Sequence, residues 1–425
     1  MALKICVIGL WHLGCVTMCS MARRHSVVAF DPDSGVMGGL AQGKPPIFEP
    51  GLEGEISRAR ANGSLKFEPD LAQALSGADV VWFTFDLPVN ERDEAQAGVL
   101  EAAFTKALEA GASPKAFVVS SQVPVGTCRR LMGKCSVPVI YIPENLRLGD
   151  AMRGFFSQER VVIGTPDGAQ SGLAEGLMEG VEGERVFLGL ESAEMAKHAL
   201  NSYLALMISF SGEISDICEA QGANAIEVMD VLRKERRVSP HAPLSPGLGF
   251  GGGTLARDVQ SLRAAAGKGG LQCPLLDAVM ASNGNRKGYV KRRLEGALGK
   301  LDGKKISFLG LTYKPGTDTL RRSLALEIIA GLNGTGARIF AYDPAVKRLG
   351  GGMGISLCSG VEGAFDKADA VVITTAWAEF SGIDFERLAP TMRTQVLIDA
   401  RNMLCGKKLP SQMKYYGVGV GNGKI

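Results

Sequence analysis

The sequence predicts an α/β protein with two Rossmann-like doubly wound domains, joined by a helical middle domain built around one long central helix. Three observations carry that prediction. Short apolar β-type runs alternate with helical stretches at the start of the chain, the same alternation returns near its end, and an amphipathic stretch between them keeps a helical period.

Lys4 to Ile8 reads as a strand, Gly9 to Gly14 as a turn, Cys15 to Arg24 as a helix, and Ser26 to Phe30 as a second strand ending at Asp31. That order opens a doubly wound sheet. Apolar runs at 80–85, 116–120 and 139–142, each preceded by a plausible helix, read as further parallel strands. Late in the chain, Lys305 to Gly310 echoes Lys4 to Gly9, Ile339 to Asp343 echoes Val27 to Asp31, and Ala368 to Ile373 echoes Ala78 to Phe83. Between the two patterns, Ala193, Ala196, Leu200, Met207, Ile214 and Cys218 recur at helical spacing from Ser192 to Gln221. A helix of about 30 residues would be about 45 Å long, enough to link two lobes and to bury one face against a second subunit. The expected domains are 1–190, 191–298 and 299–425.

The 425 residues suffice for two or three domains with real cores, and 46% hydrophobic with 21% charged residues excludes a disordered or fibrous chain. Net charge is only +3 and no long basic run tracks a phosphate backbone, so nucleic acid is not an expected partner. Nine cysteines without a C-x-x-C pair, beside only four histidines, point to a reduced, metal-free cytoplasmic protein. Ile5 to Ala22 is uncharged, but it contains Gly9, Trp11, His12 and Gly14 and leads into a β-like run, which argues against a signal peptide or membrane span.

A dinucleotide fingerprint needs three glycines, for a tight turn, for close approach to the pyrophosphate and for helix packing. Gly9-Leu-Trp-His-Leu-Gly14 supplies the first and third and sets Trp11 at the second, with His12 and Leu13 completing the turn. Asp31 follows at a spacing suited to the ribose hydroxyls of NAD, so NAD is the expected cofactor. The alternative is a purely structural turn. Trp11 is expected to displace the pyrophosphate from its ordinary seat.

Six ordered segments then form a series: Phe48-Glu-Pro-Gly-Leu52, Val123-Pro-Val-Gly-Thr127, Pro143-Glu-Asn-Leu-Arg147, Glu194-Met-Ala-Lys197 with Asn201, Gly249-Phe-Gly-Gly252 with Asp258, and Leu311-Thr-Tyr-Lys-Pro-Gly-Thr-Asp318. Over essentially the whole chain this resembles the UDP-glucose/GDP-mannose dehydrogenase family. The resemblance implies NAD on the N-terminal domain, with Pro88 and Gln122 among its contacts. It further implies a nucleotide sugar on the C-terminal domain and a homodimer formed through the central helix. It also implies oxidation of a sugar C6 alcohol in two hydride transfers, the intermediate being held on a cysteine.

Lys197 and Asn201 lie four residues apart on one helix face, where an ammonium and an amide can stabilise one developing oxyanion. Asp258 is suited to orienting a water or tuning the lysine, and Glu144 to positioning or deprotonating a water. Arg147, Arg237, Phe250, Gly251, Lys314 and Arg401 are the expected substrate contacts, with Arg237 implied to reach the partner subunit's substrate. Thr254 occupies the position of the family's cysteine, Arg257 that of a lysine, Gln122 that of a threonine and Leu148 that of an acid. The expected activity is therefore an NAD-linked oxidation of a nucleotide sugar without a covalent thioester, either stopping at two electrons or continuing through the hydrated aldehyde. The competing expectation is a catalytically impaired nucleotide-sugar binding or regulatory protein.

Overall fold

The computed structural model describes residues 2–90, 94–251, 253–350 and 352–420. The chain separates into two compact units, Met1–Leu200 with Gln260–Gly269, and Asn201–Val259 with Gly270–Ile425.

The first unit holds a sheet of eight strands: β1 (Lys4–Ile8), β2 (Ser26–Phe30), β3 (Leu65–Phe67), β4 (Val80–Phe83), β5 (Ala116–Val119), β6 (Val139–Tyr141), β7 (Arg160–Thr165) and β8 (Glu184–Gly189). Their order is β3-β2-β1-β4-β5-β6-β7-β8. All neighbours are parallel except β6 and β7, which meet antiparallel where Tyr141 faces Gly164. The apolar runs that mark these strands have a simple cause. Ile5, Val7, Val80, Trp82 and Val118 join the core on one face, while Cys6, Ile8, Val81, Phe83 and Val119 join the core on the other. A parallel sheet covered on both faces has no polar side to alternate with.

The first helix runs from His12 to Met21, beginning three residues before the expected Cys15 and ending short of Arg24. The early start is a consequence of Gly14, where a Cβ would lie 1.8 Å from the Gly9 carbonyl oxygen, so that the helix can begin inside the turn. Every residue from Leu13 to Met21 is buried, which explains a stretch uncharged all round. Among the described residues, no helix is long and apolar enough to cross a membrane.

The second unit carries six parallel strands, β9 (Lys305–Leu309), β10 (Arg338–Tyr342), β11 (Ile355–Leu357), β12 (Ala370–Ile373), β13 (Val396–Asp399) and β14 (Lys414–Gly417), in the order β11-β10-β9-β12-β13-β14. Its opening repeats the first unit atom for atom in several places. The Lys4 amide donates to Asp79 at 2.9 Å and the Lys305 amide to Asp369 at 2.8 Å. Thr84 Oγ1 donates to the Gly9 carbonyl at 2.7 Å, and Thr374 Oγ1 to that of Gly310 at 2.6 Å. The echoes in the sequence are thus echoes of hydrogen-bonding role.

The central helix is Leu190–Gln221, 32 residues long. Near its end Glu219 accepts from the Tyr289 hydroxyl and the Gly419 amide, each at 2.7 Å, which ties the helix to the segment after β14.

Candidate active site

The turn between β1 and the first helix has the features a dinucleotide requires. Gly9 takes φ +97°, a left-handed conformation that glycine alone adopts without strain. Trp11 caps the helix with no side-chain bond to its amides, and the first turn carries no acid, so these donors remain open to an anion. At Trp11 φ is −85°, so nothing in the backbone demands glycine there, and its side chain is 41% exposed. Leu13 is buried beneath the turn. Asp31 stands at the end of β2, where its carboxylate accepts the Leu10 amide at 2.5 Å and the Asp33 amide at 2.8 Å. A carboxylate has about four acceptor positions, so two bonds leave it able to receive ribose hydroxyls.

The C-terminal counterpart differs. Asp343 is buried, and its Oδ2 accepts from the amides of Leu311 and Thr312, the Thr312 hydroxyl and the Trp377 indole, while Oδ1 accepts the Ala345 amide. Its carboxylate is buried and taken up by donors from the loops after β9, β10 and β12, so it is not open to a ribose as Asp31 is. Of the two repeated turns, only the first is built for a dinucleotide.

Further along the first unit, Gln122 is buried after β5, and Pro88, half-buried, accepts the Gln96 amide at 2.9 Å through its carbonyl. Lys197 is buried on the central helix, its Nζ donating to the Glu144 carbonyl at 2.5 Å and to Asn145 Oδ1 at 2.9 Å. The Glu144 carboxylate turns back to accept the Leu146 amide. Arg147 is exposed. Two neighbours of Lys197 fasten the same helix to the segment after β5. Buried Glu194 accepts the amides of Gly126 and Cys128, and burial pushes its carboxyl above the usual range. His198 Nε2 lies 2.7 Å from the Val123 carbonyl.

In the second unit, buried Asn201 donates through Nδ2 to Asp258, which is fully buried. Asp258 therefore fixes the orientation of the Asn201 amide. Thr254 opens the helix Thr254–Lys268 with its side chain exposed, and among the described residues no side chain bonds its hydroxyl. Arg257 is buried one turn on. The Phe250 amide and carbonyl are both held by Asn283, at 2.9 and 3.0 Å, and Gly251 lies against Leu324 and the Arg322 carbonyl. Gly252 falls outside the described residues. Lys314 is half-buried between Tyr313 and Pro315. Arg401 donates from Nε to the Thr374 carbonyl at 2.6 Å, and burial lowers its pKa. Arg237 is 89% exposed and pairs with Glu235 at 2.9 Å.

Several contributors carried no role in the sequence reading. Asn145 and Glu49 sit inside motifs that signalled themselves, whereas Asn283 bonds Phe250 from 33 positions away and left no local mark. Burial pushes the thiols of Cys6 and Cys19 up to about 12 and also raises those of Cys15 and Cys128 well above the usual range, so these four are poor substitute nucleophiles. Among the described residues no cluster of three or more His, Cys, Asp or Glu could hold a metal ion.

Two nucleotide-binding folds in one chain, one of them with its acid open to a ribose, are the parts of a dinucleotide-linked dehydrogenase that acts on a second nucleotide. Comparison with known proteins agrees in every segment. Residues 3–181 match the NAD binding domain, 191–285 the central domain and 307–406 the UDP binding domain of the UDP-glucose/GDP-mannose dehydrogenase family. A UDP-glucose 6-dehydrogenase of Rhizobium meliloti (strain 1021) is 35% identical, over 94% of this chain and 95% of that protein. A UDP-glucose dehydrogenase structure from Pyrobaculum islandicum superposes with a TM-score of 0.90 at 28% identity, covering 99% of this chain and 98% of that one. A UDP-D-ManNAc dehydrogenase structure from Pyrococcus horikoshii gives 0.86 at 25% identity, covering 98% and 99%. The chain belongs to the UDP-glucose/GDP-mannose dehydrogenase family, whose members are NAD-dependent oxidoreductases.

Proposed function

We infer that this protein oxidises the C6 hydroxyl of a nucleotide-linked sugar and that its reaction stops after two electrons. The observation that carries the reading is Lys197, a buried ammonium with two of its three donors anchored to Glu144 and Asn145. The remaining N–H has no partner among the described residues and is preorganised for an alkoxide, the arrangement that gives electrostatic catalysis its leverage. Asn201, four residues on along the same helix and oriented by Asp258, supplies the second donor. NAD, when bound at the Gly9–Gly14 turn, supplies the hydride acceptor. The substrate hydroxyl passes its proton to solvent water, the oxygen is held by Lys197 and Asn201, and C6 gives up its hydride to leave an aldehyde. Glu144 is placed to orient a water, while Phe250, Gly251, Lys314, Arg147 and Arg401 address the nucleotide sugar. Guanidinium and ammonium groups suit its diphosphate.

Incubating the protein with NAD and a panel of UDP-, GDP- and dTDP-linked hexoses should yield NADH with at least one of them. Binding of a nucleotide sugar with no NADH from any would favour a regulatory protein that has lost turnover. Cofactor choice gives a separate expectation. The Asp31 carboxylate repels a 2′-phosphate, so calorimetry should show NAD binding at least about tenfold more tightly than NADP. Equal affinities would remove Asp31 from the ribose site.

The same reading makes the protein a homodimer. Tyr203, Phe210 and Ile217 are exposed large apolar residues at seven-residue spacing, hence one stripe along the central helix, suited to a second copy. Arg237, exposed and paired with Glu235, would then serve the partner's substrate.

A further inference from the structure

Glu49 is a carboxylate with 0% side-chain exposure, and three donors converge on it from two functional loops. Its Oε1 accepts the Ala151 amide at 2.8 Å and its Oε2 the Gly149 amide at 2.7 Å. The third donor is His12, whose Nε2 lies 2.8 Å from Oε2. Facing a carboxylate, that nitrogen carries the proton. His12 is the first residue of the helix whose open amides receive the dinucleotide, and its side chain is only 17% exposed. Gly149 and Ala151 close the segment that begins with Glu144 and Asn145, the two acceptors of Lys197.

A buried carboxylate with too few donors costs several kcal/mol, so neither arm of this arrangement can move without exposing the other to that penalty. We propose that Glu49 is a positioning residue that couples NAD binding at the Gly9–Gly14 turn to the placement of the 143–151 segment. A pyrophosphate seated on the first turn holds His12 in place. His12 then holds Glu49, and Glu49 holds the amides of Gly149 and Ala151. The cofactor thereby sets the loop that positions Lys197 before the sugar is oxidised. The proposal rests on the placement of NAD and on the Lys197 reading above.

Hydrogen–deuterium exchange of the full-length protein, with and without saturating NAD and with no sugar present, tests the coupling apart from any turnover. In the unaltered protein NAD should slow exchange across 143–151 by about tenfold. His12→Phe keeps a ring but removes the donor, and there NAD should still bind, about tenfold more weakly, while exchange across 143–151 no longer responds. Glu49→Gln should abolish the response as well. His12→Gln, whose amide can donate to Glu49, should restore it to within about threefold of the original. An unchanged NAD response in His12→Phe, at saturating NAD, overturns the proposal even if Glu49→Gln does not fold. Failure of every sugar to be oxidised would instead count against the proposed function and leave these exchange measurements to decide the coupling.

Discussion

Lys197→Met should lower kcat for the productive nucleotide sugar by about 10²–10³-fold while leaving the Kd for NAD unchanged. The magnitude is that of one preorganised donor removed from a developing oxyanion. The side chain is buried, and methionine nearly matches its length while lacking every donor. The Glu144 carbonyl and Asn145 then lose a partner, but Asn145 is exposed and water can replace the ammonium there. Single-turnover absorbance of NADH at saturating sugar measures the chemical step directly. A loss confined to KM would make Lys197 a binding residue, and a kcat within about fivefold of the original would remove it from the reaction. The variant also tests the proposed dimer. Mixed and exchanged with Arg237→Ala, it should regain activity, because some heterodimers would hold one site with both residues intact. No recovery after demonstrated subunit exchange would mean that each site is built from a single chain.

What the sequence disclosed and what it hid divide along physical lines. β1, β4 and β5 were legible because both faces of their sheet are covered, which leaves continuous apolar runs between turns. β7 and β8 were not, since Arg160 and Glu184 open them and threonine or glycine closes them, which breaks up the apolar run that marks a covered strand. The repeat of Lys4–Gly9 in Lys305–Gly310 was visible, but its functional asymmetry was not. Asp31 and Asp343 look alike in sequence, and only the indole of Trp377 and the Thr312 donors show that the second acid is occupied. Lys197 and Asn201 were singled out by the family resemblance, and their four-residue spacing then set them on one helix face. The partner that makes Glu49 informative lies 100 residues away, at Gly149, and no local pattern could have joined them. Residues that act through spacing along one element can be read from a sequence, whereas residues that act by closing one loop upon another have to be seen.

The other large effect concerns Thr254 and the stoichiometry of the reaction. It stands at the first position of its helix, with its side chain exposed, where the helix dipole would favour a thiolate. The chain places a hydroxyl there instead, and among the described residues no base bonds it, so it lacks the activation an alcohol needs to become a nucleophile. Without a covalent adduct the aldehyde is held only by non-covalent contacts, and the advantage of an intramolecular second step is lost. The expected outcome is one NADH per sugar consumed, an aldehyde captured by a hydroxylamine in solution, and no mass added to the intact protein during turnover. Thr254→Ala should keep kcat within about threefold, since the hydroxyl does not take part in the chemistry. Thr254→Cys should still give one NADH per sugar, because Gln122, Leu148 and Arg257 stand where the family has other polar groups. Two NADH per sugar from the unaltered protein, together with a sugar adduct mapped to Thr254 or Cys273, would show that the second oxidation proceeds through a covalent intermediate after all.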